Sequence, residues 1–137
     1  MPEGVPSLLF VCVENSCRSQ IAEGFARTVG RDRVSVHSAG SRPSGQVNPR
    51  AIRFMGERGI DITTQRSKGL ADLPALTWDY VVTMGCGDAC PHLPARHRLD
   101  WDLPDPKQMD DDGFRAVRDR IERLVQDLIG AATAPQE

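Results

Sequence analysis

The sequence has neither a long apolar run nor a strong excess of charge of one sign. Its 17 Lys and Arg residues nearly balance its 19 Asp and Glu residues, for a net charge of -2. This balance gives no reason to expect nucleic acid or an anionic membrane as a partner. No apolar stretch approaches a membrane span, and the first residues lack the pattern of a signal peptide. We therefore expect a cytoplasmic protein that builds any anion site from local features.

Length and cysteine content narrow the class further. The chain has 137 residues, 39% of them hydrophobic and 26% charged, which fits one globular domain over residues 1–137 with a tail at 131–137. Only four cysteines are present. In a reducing compartment, so few cysteines are more often catalytic, redox-active or metal-binding than a disulfide framework.

The stretch Cys-Val-Glu-Asn-Ser-Cys-Arg-Ser at 12–19 lies between an apolar run at 8–11 and a helical pattern at 20–29. A turn from strand to helix can bind an anion, because the first helical N–H groups lack intrahelical partners and lie at the positive end of the helix dipole. Arg18 adds a fork suited to bidentate oxygen binding. The sequence therefore predicts an oxyanion loop formed by Val13, Glu14, Asn15, Ser16, Cys17 and Arg18.

Cys12 is the predicted nucleophile of this site. A helix N-terminus and a nearby arginine favour the thiolate form of a cysteine, and Cys12 is placed beneath the bound anion. Ser19 and Asn15 are expected to stabilise that thiolate. The alternative is that Cys12 is a small buried residue at a strand end and Arg18 a surface residue. The spacing of the cysteine, arginine and serine at a strand-helix junction favours the anion site.

Strand and helix patterns alternate along the chain. Strands are predicted at 8–11, 33–38, 79–84 and 96–101, and helices at 20–29, 48–59 and 110–130, with a weakly helical stretch at 67–76. Gly30 is expected to cap the first helix, and Asn48 and Pro49 to begin the second. This order predicts an α/β fold, a doubly wound parallel sheet of about four strands flanked by helices.

Two further cysteines follow a predicted strand. Both Cys12 and Cys86 should reach the carboxyl edge of the sheet, where such folds bind ligands. Cys90 lies four positions after Cys86. If the segment forms one helical turn, the α-carbons of the two cysteines are about 6 Å apart. The pair could be half of a zinc site with His92 or His97, an inert pair, or a redox relay for Cys12. Zinc is disfavoured because no second ligand pair is present, and we favour the relay.

The stretch Cys12 to Ser19 resembles the C-x5-R-S phosphate loop of low-molecular-weight protein tyrosine phosphatases and of the arsenate reductases built on the same fold. The sequence Asn-Ser-Cys-Arg-Ser-Gln at 15–20, followed by Ala-Glu-Gly at 22–24, is more similar to the arsenate reductase branch. The resemblance extends from Leu8 to about Leu128. It implies an enzyme that reduces arsenate to arsenite for arsenic detoxification, with a protein tyrosine phosphatase as the alternative.

The resemblance to thioredoxin-coupled arsenate reductases implies three working cysteines. Cys12 would attack arsenic, Cys86 would attack Cys12 as arsenite leaves, and Cys90 would close a Cys86–Cys90 disulfide that thioredoxin reduces. The order of Cys86 and Cys90 could be reversed, and a low-molecular-weight thiol with a glutaredoxin-like partner is the alternative reductant. Cys17 would be structural. A phosphatase would need only one thiol, because phosphate is not reduced in this way.

Asp105-Pro106 matches the D-P pair of the family's general-acid loop. The resemblance implies that Asp105 protonates the oxygen leaving arsenic. The alternative is that Asp105 only stabilises a turn, and we interpret Asp102 as a residue of that kind. A thiol sensor or metal-binding module would need Cys86 and Cys90 but not Asp105, so the acid argues against both.

Asn15, Glu23 and Ser38 resemble residues that hold the phosphate loop and coordinate potassium in some of these reductases. Lys68 stands where those enzymes have an acidic residue, and its ammonium could occupy the place of the cation. We therefore expect no metal, no cofactor and no specific potassium requirement. The expected ligand is arsenate, with phosphate or sulfate as analogues, bound by a monomer that has no nucleic-acid or membrane partner.

Overall fold

Four parallel strands form one sheet in the computed structural model, which describes residues 5–74, 77–85 and 93–134. The strands are β1 (Ser7–Cys12), β2 (Ser35–Gly40), β3 (Trp78–Thr83) and β4 (Ala95–Asp100), and their order across the sheet is β2-β1-β3-β4. Three α-helices accompany them in the described part of the chain: α1 (Arg18–Gly30), α2 (Pro49–Gly56) and α3 (Asp111–Ala132). The predicted fold class is confirmed.

Strand β1 is buried at every residue and apolar from Leu8 to Cys12, because both of its faces are covered. Leu8 and Phe10 belong to the larger core, which contains the buried side chains of all three helices. Leu9 and Val11 point to the other face, where the described residues that cover them include Trp78 and the 3-10 turn Leu70–Asp72. A central strand buried on both faces holds Cys12, its last residue, in a fixed position.

Local signals account for the helices that complete the larger core. Asn48 Oδ1 accepts a hydrogen bond from Arg50 N at 2.8 Å, and Pro49 is the first residue of α2, as predicted. In α3 the Asp110 side chain caps the N-terminus through Gly113 N. Its apolar residues recur at helical spacing and are buried: Phe114, Val117, Ile121, Val125, Leu128 and Ile129. Within the described segments, no helix has the length and apolar character needed to cross a membrane.

Several predicted element ends are wrong, and Gly30 gives the clearest reason. Gly30 is the last residue of α1 and has helical dihedrals, whereas the left-handed residue is Arg31, with φ 48°. A β-carbon on Gly30 would overlap the Val34 side chain, so this glycine provides space rather than a left-handed turn. In addition, α3 continues past Gly130 and α2 ends before Gly59. Among the described residues of the weakly helical stretch, only Leu70–Asp72 forms a 3-10 turn.

The connections create a crevice beside β1. The chain passes from β1 to β2 on one side and later to β3 and β4 on the other, so the strand order reverses between β1 and β3. Ligands of open α/β sheets bind at this reversal, outside the carboxyl ends of the strands. Residues 13–17 follow β1 here, and Met84 N donates to Val11 O at 3.0 Å as the chain leaves β3.

An ion cluster between α2 and α3 makes stability depend on pH. Glu57 accepts hydrogen bonds from Arg115 and from the buried Arg118, which together lower its pKa from 4.5 to about 2. Because the folded pKa lies below the unfolded value, the stabilisation is present above pH 4.5 and is lost as pH falls toward 2. We expect Glu57→Gln to lower the free energy of unfolding at pH 7, by a margin that shrinks below pH 4.

Urea unfolding across this pH range measures the effect. Asp127→Asn is the control, because Asp127 is an acidic residue of α3 that forms no ion pair with the described residues. If Glu57→Gln lowered the free energy of unfolding by the same amount from pH 7 to pH 3, the lowered pKa of Glu57 in the folded protein would be contradicted.

Candidate active site

The loop at 13–17 turns its peptide carbonyls outward. Four consecutive carbonyl oxygens are held by donors from outside the loop: Val13 O by Arg42 N, Glu14 O by Ser44 N, Asn15 O by Gln20 Nε2 and Ser16 O by Asn48 N, at 2.8 to 3.1 Å. A trans peptide has its N–H on the side opposite its carbonyl, so the N–H groups of these units are directed inward. The result is a concave set of donors at the N-terminus of α1, which suits a tetrahedral oxyanion.

Asn15 is the buried centre of this loop. Its φ of 50° lies in the left-handed region that asparagine tolerates better than most residues. Its Nδ2 donates to Ser19 Oγ at 2.8 Å and to Ser38 Oγ at 3.0 Å. Its Oδ1 accepts from Gln20 Nε2 at 3.0 Å and from Lys68 N at 2.9 Å. These four bonds use the whole amide group and fix the curvature of the loop.

The Cys12 Sγ lies 2.8 Å from Ser19 Oγ, and both side chains are buried. Ser19 Oγ already accepts a hydrogen from Asn15 Nδ2, so the hydroxyl hydrogen is free to point at the sulfur. The structure therefore places Ser19 directly, and Asn15 through Ser19, where they can act on the Cys12 thiol.

Arg18 connects the oxyanion loop to the segment after β4. Its Nη1 donates to Leu103 O at 2.8 Å, and its Nη2 lies 3.9 Å from Asp105 Oδ2. Gly85 leaves room for this guanidinium, since a β-carbon there would lie 2.7 Å from Nη1. Gly85 also has a φ of 78°, which other residues rarely adopt. The segment directly after β3 thus lies against Arg18.

Asp105 is held at the same pocket by a short 3-10 turn, Pro106–Gln108. Its Oδ1 accepts from Lys107 N at 3.0 Å, which leaves Oδ2 directed toward Arg18. The pocket has a volume of about 280 Å³. Its described lining contains no aromatic side chain and consists of Cys12, Val13, Glu14, Ser16, Cys17, Arg18, Asp105 and Lys107.

Cys17 differs from Cys12 in its surroundings. Burial, together with the smaller effect of the negative charges of Asp105 and Cys12, raises the pKa of its thiol from 9.0 to about 12. Cys17 therefore remains a neutral thiol at physiological pH. This state agrees with a structural side chain in the loop.

The residues that resemble a potassium site are in contact, with Lys68 among them. Lys68 Nζ lies 3.5 Å from Glu23 Oε1, 3.3 Å from Ser38 Oγ and 3.0 Å from Arg66 O. Glu23 is only 3% exposed, and Ser38 also donates to it. Ser38 Oγ also accepts a hydrogen bond from Asn15 Nδ2, so Ser38 connects the Lys68 ammonium to the oxyanion loop.

Neutralising Lys68 should weaken this connection. We expect Lys68→Met to lower the free energy of unfolding by about 1–3 kcal/mol, because it removes one partner of a buried carboxylate that retains Arg27. The wild type should be equally stable in sodium and potassium chloride at matched ionic strength, as thermal unfolding can show. A clear stabilisation of the wild type by potassium alone would contradict an ammonium in the cation's place.

Sequence reasoning identified most of this pocket but missed several of its parts. The structure brings the predicted residues Cys12, 13–18, Ser19 and Asp105 together, whereas Cys86, Cys90 and His92 lie outside the described residues. His97 lies on β4, stacked on Tyr80. Among the described residues, the contributors that were not predicted include Gly40, Gly85, Leu103 and Lys107. The available signal for the two glycines was their place at the ends of the strand patterns 33–38 and 79–84. No signal in the sequence pointed to the Leu103 carbonyl.

Gly40 illustrates how closely the backbone is packed at the loop. A β-carbon at Gly40 would lie 2.5 Å from Val13 O and 2.9 Å from Asn15 N, both backbone atoms that cannot move aside alone. We expect Gly40→Ala to destabilise the fold by about 1–3 kcal/mol and to weaken phosphate binding about tenfold or more by displacing the loop. Gly130→Ala is the control, since no described neighbouring atom would lie within 4 Å of a β-carbon added there. Denaturant unfolding and phosphate titration measure both effects, and an unchanged phosphate affinity would be inconsistent with this packing.

The fold and this pocket define an α/β protein with a phosphate-loop thiol. The model of the family described as low molecular weight phosphotyrosine protein phosphatase matches residues 7–136. The chain belongs to this family.

Proteins named as arsenate reductases are among the relatives, in agreement with the resemblance of the loop. A glutaredoxin arsenate reductase of Synechocystis sp. is 41% identical over 125 residues, which cover 89% of this chain and 95% of that protein. A solved arsenate reductase in a phosphate-binding state superposes with a TM-score of 0.84 at 39% identity, covering 93% of this chain and 99% of the other. A thioredoxin-dependent arsenate reductase of Corynebacterium glutamicum superposes with a TM-score of 0.77 at 34% identity, covering 96% and 64%.

Proposed function

We propose that this protein reduces arsenate to arsenite through Cys12 and a Cys86–Cys90 disulfide. The observation that carries the proposal is the pocket itself: a buried thiol hydrogen-bonded to Ser19 beneath inward-facing N–H groups, with Arg18 and Asp105 at its rim. The absence of aromatic side chains from its described lining suits a small inorganic oxyanion better than an aryl phosphate. The relatives named as arsenate reductases support the same substrate.

In the first step, arsenate occupies the oxyanion loop, with its oxygens on the N–H groups of residues 13–18 and on Arg18. The Cys12 thiolate attacks arsenic and forms a sulfur-arsenic bond. The bond from arsenic to the opposite oxygen breaks, and Asp105 supplies a proton so that this oxygen leaves as water. Arsenic keeps its oxidation state in this step, because one arsenic-oxygen bond has been exchanged for one arsenic-sulfur bond.

In the second step, a Cys86 thiolate attacks the Cys12 sulfur. A sulfur-sulfur bond forms, the electron pair of the sulfur-arsenic bond passes to arsenic, and arsenite leaves. Cys90 then attacks Cys86 and releases the Cys12 thiolate, which leaves a Cys86–Cys90 disulfide. The chain enters this segment from Gly85, which lies against Arg18, and this supports Cys86 as the residue that reaches Cys12.

A thiol reductant must restore the pair, and we propose thioredoxin. The thioredoxin-dependent relative supports this choice, whereas the relative named for glutaredoxin supports a low-molecular-weight thiol with a glutaredoxin-like partner. A cytoplasmic monomer that serves arsenic detoxification is consistent with a thiol relay and with a pocket formed within one chain. Turnover with thioredoxin or with glutathione plus glutaredoxin distinguishes the reductants.

A phosphatase activity is the second candidate, because Cys12, Arg18 and Asp105 also suffice to hydrolyse a phosphate ester. The test is the double variant Cys86→Ser/Cys90→Ser, assayed on arsenate and on an aryl phosphate. Loss of arsenite formation with retention of any aryl phosphate hydrolysis is the result that our proposal predicts. Retention of full arsenite turnover would refute the relay.

A further inference from the structure

An ion pair crosses the mouth of the pocket. Lys107 Nζ contacts Glu14 Oε1, although the two residues are 93 positions apart in the chain. Glu14 belongs to the oxyanion loop, and Lys107 belongs to the short turn Pro106–Gln108, which directly follows Asp105. Both side chains line the pocket beside the Cys12 thiol. The pair therefore joins the loop that binds the anion to the loop that carries the acid.

Lys107 is fixed through its backbone as well as its side chain. Its N–H donates to Asp105 Oδ1 at 3.0 Å, and its carbonyl accepts from Arg50 Nη1 at 3.2 Å. Asp105 itself is about half exposed, with a side-chain exposure of 46%, and its contact with Arg18 is long at 3.9 Å. The position of the acid thus depends largely on the position of Lys107.

We propose that the Glu14–Lys107 ion pair is a latch that positions Asp105 over the oxyanion loop. Lys107 is then a positioning residue, and Glu14 contributes its side chain to the latch and its backbone to the loop. This inference rests on the proposed role of Asp105 as the acid of the reaction. It assigns a function to the side chains of two residues, whereas the oxyanion loop needs only the backbone of Glu14.

A different role for Lys107 would be direct attraction of the anion. In that case, neutralising Glu14 would free the ammonium and tighten the binding of phosphate, while neutralising Lys107 would weaken it. A latch makes a different prediction, because breaking the pair from either side gives the same open state and leaves the anion site intact. The two roles therefore differ in whether Glu14→Gln tightens the binding of phosphate.

The first test is a double-variant cycle on Glu14→Gln, Lys107→Gln and their combination. We expect all three to slow arsenite formation in a single turnover by the same factor, roughly twofold to tenfold, with little change in the dissociation constant for inorganic phosphate. In an Asp105→Asn background, Lys107→Gln should cause no further loss of rate. Additive losses, or tighter phosphate binding by Glu14→Gln, would overturn the latch.

The second test does not depend on activity. Amide hydrogen exchange at Lys107 reports the bond that its N–H donates to Asp105, and we expect faster exchange in Glu14→Gln and Lys107→Gln than in the wild type. Arg58→Gln is the matched control, because it breaks an ion pair with Glu122 that is also at the surface but distant from the pocket. Unchanged exchange at Lys107 in Glu14→Gln would overturn the latch, whatever reaction the protein catalyses. Failure of the wild type to form arsenite would instead refute the proposed function.

Discussion

Replacing Cys12 with serine is expected to reduce arsenite formation by at least about a thousandfold, because a serine hydroxyl is not ionised at neutral pH and cannot replace a thiolate nucleophile. The same variant should still bind phosphate. The groups that would hold the anion are the inward-facing N–H groups of the loop and Arg18, and the Asn15 hydrogen bonds that shape the loop do not involve the sulfur. Single-turnover arsenite assays and phosphate titration separate the two effects.

Cys17→Ser is the comparison for this variant, since Cys17 lies in the same loop and is equally buried. Its thiol has a pKa raised to about 12 by burial and is neutral at pH 7, so it is not a competing nucleophile. We expect Cys17→Ser to retain most of the arsenite formation that Cys12→Ser loses. Comparable losses in the two variants would indicate that Cys12 is not the attacking thiol.

The second large effect is expected for Arg18→Lys. Lysine keeps the charge but has a single ammonium, which cannot donate to Leu103 O and also present a planar fork to the anion. We expect the rate of arsenite formation to fall about 100-fold to 1,000-fold, the range found when a preorganised donor to developing charge is removed. The segment carrying Asp105 should also loosen, because it loses its bond to Arg18.

Arg31→Lys provides the control for the substitution itself, because Arg31 is exposed and lies at the far end of α1 from the pocket. Rates of single-turnover arsenite formation measured for both variants at saturating arsenate test the prediction. A loss in Arg18→Lys that disappears at saturating arsenate would assign Arg18 to binding alone.

The parts of the fold that were predictable depend on local sequence. The apolar run of β1, the capping pair Asn48-Pro49 and the helical spacing in α3 each reflect contacts close in the chain or a uniform environment. The prediction that Gly30 caps α1 is wrong because the need for glycine at this position comes from a tertiary contact. Gly30 makes room for Val34, and the residue with a positive φ is Arg31. A glycine pattern alone cannot distinguish these two requirements.

The residues of the candidate site also fall into two groups, those predictable from local sequence and those brought together by contacts distant in the chain. Cys12, Arg18 and Ser19 lie within eight residues, so their spacing predicted a strand-to-helix anion loop. Asp105 was predicted from its resemblance to a D-P pair rather than from physical reasoning alone. The contacts of Arg18 with Leu103 O and of Glu14 with Lys107 join residues 85 and 93 positions apart. Such pairs follow from how the loops meet at the strand-order reversal, and the sequence of either loop does not contain that information.

The most direct measurement is a single turnover of the fully reduced protein with arsenate and no added reductant, followed by mass spectrometry of the cysteine peptides. The proposed relay predicts one equivalent of arsenite per chain, together with a Cys86–Cys90 disulfide. An absence of arsenite, accompanied by rapid hydrolysis of an aryl phosphate, would contradict the relay and assign the protein to the phosphatases of its family.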